Sequence, residues 1–262
     1  MITIITPTFN RAHTLPRLYE SLKQQSEKSF EWLVVDDGST DSTEDLLSAY
    51  SGEGVLKLRV VRQENGGKHV AVNTGVLHAT GDWIFIVDSD DMLTPGAVGR
   101  ITRDIAAHAS PILVGLCYRK AFLNGKIVGE EKKEAAPMYM TPTDAGRFFV
   151  GDLAYVFSRK VMLSNLFPVI EGEKFVPELY IWNKISDQGN ILYFPNDAIY
   201  LCEYMPDGYT ENFWQNLRRN PKGFGLFYRA QFFRERSFVA KLKCLIRAGQ
   251  CYFYAAANRG RK

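Results

Sequence analysis

Three carboxylates within four residues, Asp88, Asp90 and Asp91, follow directly on the apolar run Ile84-Phe85-Ile86-Val87. With Trp83 ahead of it, that run reads as a buried strand, so the acids stand at a strand end. Like charges this close disfavour one another's ionised form, and a cation is their natural counterweight. Hard oxygen donors on a short loop suit Mn²⁺ or Mg²⁺, which keep coordination positions open for the oxygens of a diphosphate. The bland alternative is a solvated acidic turn ahead of a helix opened by Pro95.

Two more strand ends carry polar groups. Thr6-Pro7-Thr8-Phe9-Asn10-Arg11 follows Ile2-Thr3-Ile4-Ile5, and Asp36-Asp37-Gly38-Ser39-Thr40-Asp41 follows Leu33-Val34-Val35. Asn65-Gly66-Gly67-Lys68 turns the chain into a further helix. Two familiar nucleotide signatures are missing: no Gly-x-Gly-x-x-Gly follows the first strand, and Gly67-Lys68 fails as a P-loop. There His69 replaces the hydroxyl residue that would meet Mg²⁺, and Arg62 replaces the first glycine. His13, His69, His78 and His108 make no ligand pattern, nor do the four cysteines.

The elements that must position these groups alternate. Strands are expected over residues 2–6, 31–36, 58–63 and up to 87. Helices are expected over 14–24, with Thr14 as N-cap and Pro16 in the first turn, from the capping pair Asp41 and Glu44, and over 68–78. This is the signature of an α/β protein, a Rossmann-like mainly parallel sheet with helices on both faces, in which ligands bind at the carboxyl ends of strands. The three polar clusters should therefore meet in one crevice. Beyond them the sequence predicts a helix over 95–107, a strand over 112–118, an Asn124-Gly125 hairpin and a solvated charge run over 130–134. A strand over 154–157 follows Asp152, a helix begins near Arg159, and another carries Leu179, Trp182 and Ile185. Two short strands, 191–194 and 199–203, close this part.

Charge is unevenly spread. The net +3 conceals 12 Lys and Arg against 4 Asp and Glu in residues 201–262, which leaves residues 1–200 acidic. No apolar run is long enough to span a bilayer. The N-terminus reads as a first strand and not a signal peptide, and with no sequon or cysteine framework the expected location is cytoplasmic.

Taken in order, Thr6 to Arg11, Val34 to Asp41, Asn65 to Gly75 and Asp88 to Asp91 closely resemble the N-terminal half of family 2 glycosyltransferases, the large inverting group with a GT-A fold. The likeness is specific over residues 2–100 and looser to about 220. It implies a sugar transferred from a nucleotide diphosphate donor to a saccharide or lipid-linked saccharide acceptor, as a hexosyl- or N-acetylhexosaminyltransferase of cell-surface polysaccharide synthesis. By that resemblance Asp36 accepts the N3–H of uracil, Thr6, Pro7 and Phe9 frame the ring, and Arg11, Asp37, Lys68, Asp88 and Ser89 line the nucleotide-sugar. Acceptor-only chemistry at Asp36 favours UDP. Asp88 and Asp90 match the family's Asp-x-Asp as ligands of Mn²⁺ or Mg²⁺, Asp90 directly, with Asp91 in support.

The family's catalytic base comes from a Glu-Asp pair opening a helix, and here the matching pair is Glu178-Leu179. Glu178 is the expected base, Glu173 the next choice and Asp152 the third; Glu178 could instead only cap its helix. The missing Asp supports a non-catalytic scaffold with a retained fold. A sugar nucleotidyltransferase would need a glycine-rich loop after the first strand, and Thr6 to Arg11 has no glycine. The expected division is a catalytic region over 1–210, with a nucleotide-sugar half (1–100) and an acceptor-side half (101–210), a small antiparallel region on the acceptor side, and a basic, aromatic helical segment over 211–262. From residue 212 that segment has the composition of an interfacial helix, giving an anionic membrane surface on the inner face of the cytoplasmic membrane as a partner. Nucleic acid is not expected, since basic charge alone lacks a recognition motif.

Overall fold

The computed structural model describes residues 1–132, 135–203 and 212–259. Lys133 and Glu134 of the charge run, the 210/211 boundary and the last three residues lie outside the described residues. The first half alternates as the apolar spacing predicts: β1 (Ile2–Thr8), α1 (Leu15–Lys23), β2 (Phe30–Asp36), α2 (Thr43–Glu53), β3 (Leu58–Arg62), α3 (Lys68–His78) and β4 (Trp83–Ile86). Every residue of β1 and β2 is buried, as expected of parallel strands covered on both faces. Then follow β5 (Met92–Leu93), α4 (Ala97–Ala107), β6 (Leu113–Phe122), β7 (Met138–Tyr139), α5 (Pro142–Phe149), β8 (Leu153–Ser158), α6 (Arg159–Leu163), α7 (Glu178–Ser186) and β9 (Asn190–Cys202). The chain continues through α8 (Phe213–Arg219), α9 (Pro221–Arg234) and α10 (Phe238–Arg259).

One sheet of nine strands runs in the order β3-β2-β1-β4-β8-β6-β9-β5, with β7 also on β9. The long pairings β3-β2-β1-β4 and β6-β9 are parallel. β8 lies antiparallel between β4 and β6, so the antiparallel part is continuous with the parallel half. On one face α1, α2 and α4 bury Leu18, Leu47 and Ile101 around Trp32 and Phe85. On the other, α3, α5 and α7 bury Val72, Phe149 and Trp182 around Phe157.

Two local expectations need correction. The two short strands of 191–194 and 199–203 are one strand, β9, whose register against β6 shifts twice between Cys117 and Lys120. Pro195 has no N–H to give the ladder, and such a residue falls at a bulge without ending the strand. Asp41 does not form a box with Glu44: its Oδ1 accepts from the Thr43 amide at 3.1 Å and its Oδ2 from the Ala12 amide at 3.1 Å, fastening the loop after β1 to α2. Glu44 pairs with Arg62 instead. Thr14 sits at the N-cap of α1 without a side-chain cap bond, its hydroxyl donating to the Arg11 carbonyl.

The basic segment is partly fastened to the body. Gln231 on α9 enters a buried network with Thr143 on α5 and Asn183 on α7, and Arg234 and Glu235 pair with Asp187 and Arg147. α10 packs along α9 and α8, burying Cys251 with Phe224 and Leu217.

Candidate active site

The carboxyl ends of β1, β2 and β4 open into a cleft of about 1100 Å³, and the far wall comes from α5, β8 and α7. Pro7, Phe9, Arg11, Asp37, Lys68, Asp88, Ser89, Asp90 and Glu178 all line it, so the groups singled out from separate stretches of sequence converge. Asp91 and Asp152 line it too.

The acidic loop is held from several sides. After β4 the chain turns tightly, the Asp91 amide donating to the Asp88 carbonyl at 3.1 Å. The Asp88 amide donates to the Tyr200 hydroxyl at 3.0 Å, and the same hydroxyl bonds the Asp91 carboxylate. Arg17 on α1 donates to the Asp90 carbonyl and pairs with Glu203 at 2.8 Å. Lys120 on β6 lies 3.9 Å from Asp91 and 4.0 Å from the centre of the Tyr200 ring.

Electrostatics separates the three acids. Burial alone would raise Asp88, but the ammonium of Lys68 and then that of Lys120 outweigh it and hold the carboxyl below its usual range. Asp90 is raised by burial and by the neighbouring charge of Asp88. Burial pushes Asp91 up to about 7 against the pull of Lys120. Asp90 makes no ion pair among the described residues, so a cation beside it would relieve the repulsion from Asp88. No cluster of three His, Cys, Asp or Glu groups with metal-holding geometry occurs among the described residues. Mn²⁺ or Mg²⁺ at a diphosphate needs fewer, one or two carboxylates with phosphate oxygens completing the shell. Asp88 and Asp90 fit that requirement in donor type and number.

Lys68 opens α3, and its Nζ sits 2.6 Å from Asp88 Oδ1 and 2.9 Å from Glu178 Oε1. Burial opposes the charge, but the two carboxylates raise the ammonium well above its ordinary value, so it stays protonated. Glu178 is the first residue of α7, yet it forms no side-chain cap. Its carboxylate reaches across the cleft to α3, Oε1 lying 2.9 Å from Lys68 Nζ. Leu179 beside it faces the cleft with Trp182 and Tyr155.

At the other end, Thr8 is 3% exposed, lines the cleft and has no hydrogen-bond partner for its hydroxyl among the described residues. Asn10 adopts a left-handed backbone (φ 53°), which its side chain secures by accepting from the Thr40 amide at 2.8 Å. Asp37 holds the glycine turn: Oδ1 accepts from Gly66 N and Gln63 Nε2, and Oδ2 from Gly67 N at 2.8 Å.

Three expected residues do not reach the cleft surface. Thr6 is fully buried, its hydroxyl accepting from Trp32 Nε1 at 3.0 Å. Asp36 lies just beneath, with Oδ1 on the Ser39 amide at 2.9 Å and Oδ2 3.6 Å from Arg62 Nε. Glu173 is turned away, both its oxygens accepting at 2.8 Å from the Lys222 and Gly223 amides that open α9. Four groups escaped the sequence reading: Thr8, Arg17, Lys120 and Tyr200. Arg119-Lys120, two cations inside an otherwise apolar strand, were the one available signal for Lys120.

Residues 3–152 match the family model described as "Glycosyl transferase family 2". The chain belongs to that family. Among curated relatives of this family 2 chain, GlyG of Streptococcus pneumoniae serotype 4, a glycosyltransferase, is 26% identical over 77% of the chain and 70% of its own length. GlyA of the same organism is 33% identical over 45% of the chain, but only 17% of GlyA is covered. A PGL/p-HBAD biosynthesis glycosyltransferase of Mycobacterium bovis is 35% identical over 44% of the chain and 45% of its own length.

Among solved structures, S. aureus TarS 1–349 in complex with UDP superposes with a TM-score of 0.66 at 23% identity, over 85% of this chain and 65% of that one. The mannosyltransferase PcManGT of Pyrobaculum calidifontis, in complex with GDP-Man and Mn²⁺, gives 0.62 at 20% identity, over 100% and 75%. The family 2 chain thus has the GT-A fold, a mixed and mostly parallel sheet surrounded by helices.

Proposed function

We propose that the chain transfers a hexosyl or N-acetylhexosaminyl group, with inversion at the anomeric carbon, from a UDP-sugar to a saccharide or lipid-linked saccharide in cytoplasmic assembly of cell-surface polysaccharide. The observation that carries this is Lys68: one ammonium bonds both the Asp88 carboxylate of the donor loop and the Glu178 carboxylate of the opposite wall, so one bound sugar can reach both. UDP is favoured by the solved complexes of TarS with UDP and UDP-GlcNAc. Pro7, Thr8 and Phe9 frame the base, whereas Asp36, buried beneath the cleft between the Ser39 amide and Arg62, is not assigned its N3–H.

Asp88 and Asp90 would hold Mn²⁺ or Mg²⁺, which would supply Lewis-acid neutralisation of charge on the departing diphosphate. The chain's own residues do the rest. Lys68 and Arg11 place positive charge at the donor end, and Lys120 and Tyr200 keep the acidic loop in shape. Glu178 takes the proton of the acceptor hydroxyl as that oxygen bonds the anomeric carbon and the carbon–phosphate oxygen bond breaks, its electron pair leaving with UDP. Glu173, occupied at the start of α9, is not assigned this role.

Release of UDP from a panel of UDP-sugars tests the reading. Turnover that needs Mn²⁺ or Mg²⁺ and an added saccharide acceptor, and that stops with EDTA, supports it. Silence with UDP, GDP and dTDP donors alike, despite nucleotide binding, would replace it with the scaffold.

A further inference from the structure

α10 has two apolar faces and its own fold uses one. Cys244 and Cys251 point inward to α9 and α8, whereas Phe238, Leu242, Leu245, Ile246, Tyr252 and Phe253 are 46–81% exposed. At 100° per residue these six fall on one continuous stripe along the 22-residue helix, with Gly249 and Ala256 completing it. Phe233, at the end of α9, is 82% exposed as well. Monomeric soluble proteins rarely expose a contiguous apolar patch above a few hundred Å² without a partner for it.

Charge selects the partner. α10 contains no Asp or Glu, and Lys241 and Lys243 flank its stripe on either side. Among described residues from 212 onward the one acid is Glu235, which is paired with Arg147. A second copy related by a two-fold axis would set the same cations against one another. An anionic leaflet neutralises them while the stripe enters the acyl boundary, and lysines beside such a stripe reach outward to the headgroups. The helix lies along that surface: no described helix is long and apolar enough to cross a membrane.

We propose that the outward face of α10 docks flat on an anionic lipid bilayer. This deepens the lipid-linked acceptor class and rests on the transferase reading for its purpose, not for its physics. Protein that floats with vesicles but never releases UDP would sink the transferase reading alone. Protein that turns over UDP-sugar but ignores vesicles would sink this one alone.

The test is flotation of the full chain with vesicles of phosphatidylcholine, with and without about a third phosphatidylglycerol. The expected result is binding at least about tenfold stronger to the anionic vesicles and weakened by salt, since each basic side chain adds to the attraction. L242E/I246E should lose that binding about tenfold or more with unchanged melting temperature because both sites are exposed, and K241E/K243E should lose the preference for anionic lipid. Three outcomes overturn the proposal: no flotation, equal binding to both vesicle types, or a stable dimer in light scattering that L242E/I246E dissolves.

Discussion

Lys68 holds two carboxylates on one nitrogen, and its worth is clearest from what its removal would leave. K68M would set Asp88 and Glu178 in the same cleft without their common cation, and breaking a partly buried pair in this way is costly. The expected result is a lower melting temperature and UDP affinity weakened about tenfold or more, measured by calorimetry. E178Q keeps the shape of the side chain and its reach to Lys68 but cannot take a proton. It should spare UDP affinity within a few-fold and lower transfer by about 10²–10⁴, the usual contribution of a general base. Normal transfer by E178Q would remove Glu178 from the chemistry. Both residues were legible in sequence, Lys68 from a glycine turn and Glu178 from its place in a motif. Their contact was not, because 110 positions of chain separate them and only the folded sheet brings α3 beside α7.

At the scale of elements, turns and strand ends decide where these side chains point. Gly67 has φ +90°, and a Cβ there would meet the Lys174 carbonyl oxygen at 2.0 Å. G67A should therefore cost about 2 kcal/mol or more and displace Lys68. G54A, at a left-handed α backbone (φ 64°, ψ 17°) with open space around it, should cost only about 1 kcal/mol in the same denaturant titration. Glu31 on β2 ties three neighbours together. It accepts from Thr3 at 2.8 Å, from Arg59 at 2.7 Å and from the Thr80 amide at 3.0 Å. Burial opposes its ionisation, but the bond from Arg59 and then those from Thr80 and Thr3 bring its pKa from 4.5 down to about 2. A lowered carboxylate stabilises the fold above its unfolded value and loses that contribution as pH falls. Stability should thus decline between about pH 5 and pH 2, and E31Q should lose roughly 2–3 kcal/mol at neutral pH and flatten that decline. Sequence patterning placed β1 to β4 and their helices within a few residues, because a buried parallel strand and a helix stripe leave strong periodic marks. It split β9 at Pro195, since a bulge compensated by pairing with β6 leaves no mark in the strand's own residues. It left Glu173 among the bases because the capping of α9, some 50 residues on, is a tertiary contact.

For the molecule as a whole, the sheet's two halves divide the labour. The parallel half brings the ends of β1, β2 and β4 to one side of the cleft, and the β8-β6-β9 half brings Lys120 and Tyr200 against the acidic loop from behind. The far strands were predicted, yet nothing in their local pattern tied Tyr200 to Asp88 and Asp91. Charge is divided likewise, with residues 1–200 net acidic and the surplus cations in residues 201–262. Under the proposed function, the rim carrying Asp88 and Asp90 would hold a divalent ion against the diphosphate of the donor. Crystals grown with UDP and Mn²⁺, measured at the manganese absorption edge, test it most directly. The predicted result is one anomalous peak between Asp88, Asp90 and the diphosphate oxygens, lost in D90A crystals; ordered UDP with no peak at that rim, or a peak that D90A leaves unchanged, would contradict it.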